Sequence, residues 1–249
     1  YDRAKILGCD TIVTGHYARI EWSEERNRWL LKKAKNEPKD QSYVLYFLTQ
    51  EQLSRTLMPV GDYTKEEIRS IALEAGLPVA HKADSQDICF VPDGDYSAFI
   101  EREAGDRVPG AGNFVTAEGK ILGTHKGITH YTIGQRRGLD LPMGERVFVT
   151  EIRPETNEVV IGKNEDIFTK EVLCDRVNYM AMEELTEPRK AFAKIRYNHK
   201  GAWCTIEKTG EDELLCTFEE QQRAITPGQA VVFYDGDYVL GGGTIIGDK

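Results

Sequence analysis

The stretch that decides the fold is DTIVTGHYAR, residues 10–19. A short helical pattern precedes it and stops at Gly8, and residues 11–13 have the β-branched composition of a short buried strand. Helix, glycine, short strand and glycine-containing loop, in this order, are typical of a parallel α/β unit. Ligands of such sheets bind beyond the carboxyl ends of the strands, and glycine lets a ligand approach the backbone closely. Gly15 and His16 are therefore candidate ligand-site residues, although His16 could equally cap a helix or loop.

The best-specified helix lies downstream, at residues 63–76. Thr64 and Glu67 have the spacing of a capping box, and Gly76 ends the apolar stripe. We interpret this helix as scaffold. The apolar residues 78–80 predict the next strand, and residues 95–103 predict a second helix that closes the α/β domain.

One cysteine stands out in residues 84–94, DSQDICFVPDG. Cys89 lies in a very short apolar run between polar, turn-forming residues. A structural cysteine usually packs as a small apolar side chain. A position near the end of an element can instead present the thiol to a partner. The loop that leaves residues 78–80 leads directly to Cys89, so we expect it near the edge of the same α/β domain as Gly15.

The pattern changes after residue 104. Short strand-like pieces at residues 147–152 and 159–162 predict a small mixed domain. Alternating strands at short spacing follow residue 172, with turns between them. The predicted fold class is a partial α/β, Rossmann-like domain (residues 1–103), a small mixed α+β domain (residues 104–171) and a C-terminal antiparallel β-barrel (residues 172–249).

Composition restricts the class of protein. The chain has 249 residues, of which 40% are hydrophobic and 29% charged, so it has room for two or three cores. No apolar run approaches the roughly 18–20 residues of a membrane helix, and we expect no membrane partner. Five scattered cysteines without a C-x-x-C motif predict free thiols, no metal site and the cytoplasm as compartment. Cys204 and Cys216 are in phase with inward-facing strand positions, and we predict that both, and Cys9, are core residues.

Two stretches lack acidic residues in a chain of formal net charge −9. They are residues 125–137 (HKGITHYTIGQRR) and residues 189–200 (RKAFAKIRYNHK), which hold five Lys or Arg. Local basic stretches can contact phosphate even when the whole chain is acidic. A solvated protein face is the alternative. A small barrel with a basic strand is a common RNA-contacting module, but barrels serve many purposes.

Several longer motifs together carry a family resemblance. They are TGHYAR at residues 14–19, KDQSY at 39–43, DSQDICF at 84–90, GTHKG at 123–127, YTIGQRRGL at 131–139 and TPGQ at 226–229. In this order, over essentially the whole chain, they resemble the tRNA-specific 2-thiouridylases.

The resemblance implies an enzyme that replaces the C2 oxygen of the wobble uridine of certain tRNAs with sulfur. ATP, with Mg²⁺, would activate that oxygen as an adenylate. Cys89 would accept a persulfide from a sulfur-carrier protein or cysteine desulfurase, and a second cysteine would release the sulfur and end in a disulfide with it. Gly15 would contact ATP. The residues that would contact tRNA are His16, Lys39, Asp40, Gln41, Arg196, Tyr197 and Gln229.

The family's S-G-G-x-D-S pyrophosphate loop and its second cysteine are not found in these 249 residues, and the resemblance implies that both belong upstream of Tyr1. We therefore expect a piece of a longer protein, which alone neither binds ATP tightly nor thiolates tRNA. Two other functions stay open. One is a non-catalytic RNA-binding module with an inert Cys89. The other is an ATP-pyrophosphatase relative that adenylates a small molecule, which is disfavoured because it would not need the acid-free residues 189–200.

Overall fold

The structure is a computed structural model, and it describes residues 1–81, 91 and 94–247, apart from the side chains of residues 79 and 106. Cys89 and the motif at residues 84–90 lie outside the described residues. Within them, the helices are α1 (Asp2–Ile6), α2 (Gln50–Ser54), α3 (Lys65–Glu74) and α4 (Tyr96–Ala104). The strands are β1 (Ile12–Val13), β2 (Ala18–Ser23), β3 (Arg28–Lys33), β4 (Thr56–Leu57), β5 (Gly112–Val115), β6 (Ile121–His125), β7 (Phe148–Arg153), β8 (Glu158–Gly162), β9 (Phe168–Tyr179), β10 (Arg189–Lys194), β11 (Ala202–Gly210), β12 (Glu213–Arg223), β13 (Ala230–Asp235) and β14 (Tyr238–Gly247).

The chain divides into two compact units. Unit 1 comprises residues 1–82, 170–220 and 227–249, and unit 2 comprises residues 83–169 and 221–226. No helix among the described residues is both long and apolar enough to cross a bilayer.

The amino-terminal part of unit 1 has the predicted parallel pairing. Strands β1 and β4 run parallel, with Ile12 opposite Thr56. Helix α3 begins at the predicted capping box, because Glu67 N donates to Thr64 Oγ1 at 3.2 Å and Thr64 N donates to the Glu67 carboxylate at 2.6 Å. Those two bonds satisfy backbone donors that the first turn of a helix leaves unpaired.

Three expectations for this part are wrong. The strand predicted at residues 78–80 is a 3-10 turn, Pro78–His81, in which Ala80 N donates to Leu77 O. The φ of proline is fixed near −65°, which suits this turn. Proline also has no backbone N–H, so it cannot donate a hydrogen bond to a neighbouring strand. Strand β1 is not buried, since Val13 is 64% exposed. Cys9 is exposed rather than core, because the left-handed Gly8 (φ 72°) ends α1 and turns the chain away.

The rest of unit 1 is the predicted antiparallel barrel. Its strands pair in the order β13-β10-β11-β12-β9-β14, and β14 pairs back with β13 to close the barrel. The β2–β3 hairpin continues the sheet from β14, with Lys32 opposite Tyr238. Cys204 and Cys216 are buried, as alternation along the strands predicts. Strand β10 ends at Lys194, and residues 195–198 of the acid-free stretch form bends and a turn.

The amino-terminal segment packs against this barrel in one core. Leu31, Tyr43 and Leu53 are buried with Val232 and Tyr234 of β13. Two arginines of the hairpin add polar anchors, since Arg26 and Arg28 donate to the backbone carbonyls of residues 179–181. The loops of residues 14–17 and 34–48 are therefore held against the barrel wall. As a result, residues of these loops face the end of β10.

Unit 2 has a sheet with the strand order β6-β5-β8-β7, in which β5 and β8 are parallel. Its core is formed by Phe114, Tyr131, Leu139, Val149, Val159 and Ile161. Helix α4 begins where the sequence predicts, because the Asp95 carboxylate caps it by accepting from Ala98 N at 3.0 Å.

Candidate functional site

The loop after β1 holds the first two candidate residues. Thr14 N donates to Leu57 O at 3.0 Å, which continues the β1–β4 pairing up to the loop. Thr14 Oγ1 lies 2.7 Å from His16 Nδ1 and holds the imidazole in place. Gly15 is exposed, and a Cβ placed on it would meet no heavy atom of the described part of the chain within 4 Å. The backbone at Gly15 is therefore open to approach by a ligand.

The loop of residues 39–41 is joined directly to this first loop. Gln41 N donates to Tyr17 O at 2.8 Å, and Tyr17 N donates to Gln41 Oε1 at 2.9 Å. This pair of hydrogen bonds fixes the position of Gln41 relative to His16. Lys39 is exposed on the same loop.

Asp40 organises the loop from inside. Its Oδ1 accepts from Ala34 N at 2.9 Å and Ser42 N at 3.2 Å, and its Oδ2 accepts from Ser42 Oγ at 2.7 Å. Both carboxylate oxygens thus bind groups of this chain. The geometry favours Asp40 as a residue that shapes the loop between Lys39 and Gln41.

The end of β10 approaches the same loop from the barrel. The rings of Tyr43 and Tyr197 meet edge to face with centroids 6.2 Å apart, and Lys194 Nζ lies 5.8 Å from the Tyr43 centroid and 5.9 Å from that of Tyr197. Tyr43 OH donates to Ala230 O at 2.8 Å, next to the exposed Gln229. Segments at opposite ends of the chain therefore meet here.

The electrostatics of this cluster are set by burial and by a second lysine. Burial lowers the pKa of Lys194 most, Asp40 opposes this effect, and the charge of Lys33 lowers the pKa further. Burial raises the pKa of Tyr43 to about 12, partly offset by Arg196. At neutral pH the phenol is therefore protonated while lysine and arginine charges lie around it. Such a mixture suits a ligand with a negative charge and a flat ring.

The structure brings together most of the predicted site. The loops and the barrel edge described above contain Gly15, His16, Lys39, Asp40, Gln41, Arg196, Tyr197 and Gln229, all in unit 1. Cys89 lies outside the described residues, so its distance from this cluster is not defined. Among the residues described, no group of three or more His, Cys, Asp or Glu side chains could hold a metal ion.

Tyr1 has a structural role in the described part of the chain. Its hydroxyl donates to the carboxylate of Glu51 at the start of α2, and the same carboxylate accepts from Lys5 Nζ at 2.9 Å. Lys5 Nζ also lies 4.6 Å from the Tyr1 ring centroid. These contacts hold α1 against α2, and the position of the second cysteine stays a prediction.

Sequence reasoning missed three members of the cluster, Lys33, Tyr43 and Lys194. Lys33 Nζ lies 4.8 Å from the Tyr234 ring centroid and donates to Gly236 O at 3.1 Å. Alternation would have found Lys194, because Ala191 and Ala193 are small and the intervening positions must face outward. Nothing in the spacing along the chain predicts that Lys33 lies beside it.

Comparisons with known proteins agree with this architecture. A family model described as "tRNA methyl transferase HUP domain" matches residues 1–93, "tRNA methyl transferase PRC-barrel domain" matches residues 97–163, and "Aminomethyltransferase beta-barrel domain" matches residues 169–245. The fold therefore defines a HUP-domain protein that carries two further β domains.

Curated relatives narrow that class. A tRNA-specific 2-thiouridylase MnmA of Lachnoclostridium phytofermentans is 58% identical over 98% of this chain and 68% of its own length. Those of Clostridioides difficile (51%, with 98% and 68% covered) and Koribacter versatilis (48%, with 97% and 66% covered) are also similar. The chain belongs to the tRNA-specific 2-thiouridylase family, and it spans about two thirds of the length of these relatives.

Proposed function

We propose that this chain supplies the tRNA-binding surface and the persulfide cysteine of an enzyme that makes 2-thiouridine at the wobble position of tRNA. The observation that carries the proposal is the meeting of three segments in unit 1: the loops at Gly15 and Gln41, and the turn that holds Arg196 and Tyr197. The two loops lie near the start of the chain, and the turn lies in its last quarter. The loop at Gln41 carries Lys39, and the turn carries Arg196 and Tyr197. Membership in the 2-thiouridylase family supports it.

The tRNA would lie across this surface. Arg196 is suited to a phosphate, and Tyr197, which is 41% exposed, is suited to stacking with an unpaired base. His16, Lys39, Gln41 and Gln229 would line the path of the RNA. Asp40 would support RNA binding indirectly, because its carboxylate fixes the loop that carries Lys39 and Gln41.

The nucleotide would approach the exposed backbone at Gly15, where no atom of the described residues blocks it. When bound, ATP with Mg²⁺ supplies the activation of the uridine C2 oxygen as an adenylate. Mg²⁺ in such sites is held largely by phosphate oxygens and water, so few protein ligands are needed. Gly15 alone offers little affinity, and we expect the 249-residue chain by itself neither to bind ATP tightly nor to thiolate tRNA.

Sulfur transfer would use Cys89. Its thiolate attacks the terminal sulfur of a persulfide on a sulfur-carrier protein or cysteine desulfurase; the donor's S–S bond breaks and the donor leaves as a thiolate. The exchange needs no external oxidant, because one persulfide replaces another. A second cysteine upstream of Tyr1 would attack the Cys89 sulfur of the persulfide and form a disulfide with it. The persulfide S–S bond would break, and the released sulfide would displace AMP from C2 of the activated uridine. We propose the cytoplasm as compartment, and residues 1–103, 104–171 and 172–249 as catalytic, central tRNA-contacting and barrel tRNA-contacting domains.

Cys89→Ser tests the chemistry. The assay measures ATP-dependent thiolation of tRNA by this chain extended with the additional third of the length that the curated relatives have. We expect thiolation to fall at least about 100-fold, because serine cannot carry a persulfide, while the Kd for tRNA stays within twofold. Cys9→Ser is the matched control, since Cys9 is exposed and lies outside the motifs.

Undiminished thiolation by Cys89→Ser would overturn the assignment. Alkylation separates the enzyme from the inert RNA-binding module. In the enzyme Cys89 reacts much faster than Cys204 and Cys216, which are buried. Equal rates for all of these thiols would favour the inert module.

Arg196→Ala tests the surface. We expect the Kd for tRNA to rise about 3- to 10-fold at 0.1 M salt, and the salt dependence of binding to become shallower by about 0.7–0.9 in log–log slope. Arg189→Ala is the control from the same stretch, because its guanidinium is already paired with Asp235 at 2.7 Å. An unchanged Kd for Arg196→Ala would count against the barrel as a tRNA surface.

A further inference from the structure

The face of β10 that points away from the barrel interior begins at the proposed tRNA surface and extends along the strand from there. Ala191 and Ala193 are buried in the barrel, so Lys190, Phe192 and Lys194 project from the opposite face. Residues two apart on one face of a strand are separated by about 7 Å, so the two lysines stand about 13 Å apart with an aromatic ring between them. This alternation produces a row of cationic and aromatic side chains.

Trp203 lies beside the middle of this row, on the neighbouring strand β11. It is opposite Phe192 in the β10–β11 register, and the two rings meet edge to face with centroids 5.5 Å apart. Lys190 Nζ lies 5.1 Å from the Trp203 ring centroid. Nevertheless Trp203 is 49% exposed, which leaves a large flat apolar surface in contact with water.

The row is continuous with the site described above. Lys194 contacts the Tyr197 ring at one end of β10, and Lys190 contacts the Trp203 ring toward the other end. Only Lys190, Phe192 and Lys194 of the acid-free stretch share this outward face, in a chain whose net charge is −9. Charge and flat rings together fit a polyanion that carries bases.

We propose that Trp203, with Lys190 beside it, forms a stacking platform for an unpaired base of RNA, and that it extends the tRNA-binding surface along β10. The inference rests on the proposed function, because it assumes that RNA occupies the Tyr197 end of the row. Every base has a flat face, so such a platform binds single-stranded RNA with little sequence preference. A phosphate flanking the stacked base would lie near the Lys190 ammonium.

The contact between Lys190 and Glu219 gives the platform a counterion. Lys190 Nζ lies 2.7 Å from Glu219 Oε1, and both side chains are more than half exposed. Exposed ion pairs contribute little to stability, so a phosphate can replace the carboxylate at small cost. Glu219→Gln should therefore strengthen RNA binding about twofold or more, because it removes a competing negative charge.

The experiment measures the Kd of the protein for a single-stranded oligouridylate and for tRNA. Trp203→Ala should weaken oligouridylate binding about 5- to 20-fold, the lower part of the range for loss of one base stack. It should leave the affinity for the same oligonucleotide in a duplex within twofold, because a paired base cannot stack. Trp22→Ala is the matched control, since Trp22 is 40% exposed and meets Trp29 edge to face at 5.6 Å.

A second measurement does not depend on the stability of Trp203→Ala. A variant with Trp22→Phe and Trp29→Phe keeps Trp203 as its tryptophan, and saturating oligouridylate should quench its fluorescence. Absence of quenching, or an equal loss of affinity for duplex and single strand in Trp203→Ala, would overturn the platform. So would an unchanged oligouridylate affinity, which is the result expected if the face docks a protein.

The outcomes also separate this inference from the proposed function. If Arg196→Ala weakens tRNA binding and Trp203→Ala weakens neither ligand, the platform is wrong and the tRNA surface stands. If Arg196→Ala has no effect on tRNA while Trp203→Ala weakens oligouridylate binding, the proposed tRNA surface is wrong and an RNA-binding face remains.

Discussion

Two stretches, residues 189–200 and residues 125–137, are alike in composition, since both are basic and lack acidic residues. They differ in which of their side chains are exposed. In the first stretch, strand β10 turns small alanines inward, and its lysines and Phe192 face outward. In the second, the largest rings turn inward. His125 and Tyr131 are buried with Phe114, at ring centroid distances of 5.4 Å and 5.1 Å from it.

The difference comes from backbone geometry. A regular strand alternates its side chains, so Lys190, Phe192 and Lys194 share the face opposite the alanines, where Lys190 is exposed and Phe192 and Lys194 are half-buried. Residues 126–137 follow a strand end with a 3-10 turn, Ile128–His130, and a left-handed Gly134 at φ 84°. Their exposed cations are Lys126, Arg136 and Arg137. A gap in acidic residues therefore marks a candidate surface, but periodicity decides which side chains are on it.

The largest expected effect contrasts one tyrosine from each stretch. Tyr131→Ala should lower the free energy of unfolding of unit 2 by about 3 kcal/mol or more, because it leaves a cavity beside Phe114. Tyr197→Ala should change stability by less than about 1 kcal/mol, because that ring is 41% exposed. Urea unfolding followed by circular dichroism measures both, and hydrogen exchange of residues 148–162 reports unit 2. Similar losses in the two variants would contradict the contrast.

His125 should make the stability of unit 2 depend on pH. Its Nδ1 accepts from Gly127 N at 3.1 Å and its Nε2 lies 3.1 Å from Asn157 O, so the buried ring is neutral. Burial lowers the pKa of His125 below its usual 6.5, and the hydrogen bond to Asn157 opposes this. The unfolded chain then binds the proton first, so stability present above about pH 6.5 is lost as pH falls, by at most about 1.4 kcal/mol per pH unit.

The test compares unfolding between pH 5 and 7.5. His125→Gln should remove part of the pH slope, and His81→Gln, which changes an exposed histidine, should keep it. An unaltered slope in His125→Gln would mean that His125 is not the titrating group.

Part of the fold could be predicted from the sequence and part could not. The capping box at Thr64 and the inward positions of Cys204 and Cys216 follow from local rules, and the structure confirms them. The strand expected at residues 78–80 is wrong because three apolar residues do not distinguish a strand from a turn. The burial expected for Cys9 is wrong because burial depends on what packs against a residue.

The candidate site could likewise be predicted only in part. Its residues could be named from motifs, but their meeting could not be derived from spacing along the chain. Tyr43 and Tyr197 come together because the β2–β3 hairpin continues the barrel sheet from β14 and the loop after it packs on β13. Pairings between distant segments depend on the whole core, and no local pattern encodes them.

Lys194→Met tests whether the outward face of β10 serves binding at the expense of stability. A lysine whose pKa is lowered on folding costs stability at neutral pH, and this cost decreases as pH rises toward 10.5. Methionine keeps the apolar stem without the charge. We expect an equal or higher free energy of unfolding at pH 7, together with a Kd for tRNA about 3- to 10-fold higher because a cation near the phosphates is lost.

Lys126→Met is the counterpart from the other stretch, since Lys126 is exposed. It should give no gain in stability. A clear loss of stability in Lys194→Met would show that the ammonium is needed for the fold, and its role in binding would then need the more conservative Lys194→Arg.

The smallest effects are expected at the exposed arginines of residues 125–137. Arg136→Gln combined with Arg137→Gln should change the free energy of unfolding by less than about 0.5 kcal/mol, because neither side chain is in the core. If residues 104–171 contact tRNA, the Kd should rise about 2- to 3-fold at 0.1 M salt and the salt dependence should become shallower. The expected loss is smaller than for Arg196→Ala, because Arg196 adjoins Tyr197, whose ring meets that of Tyr43 at the end of β10. An unchanged salt slope would assign this stretch to a solvated face, and the difference between the two stretches would then extend from their structure to their function.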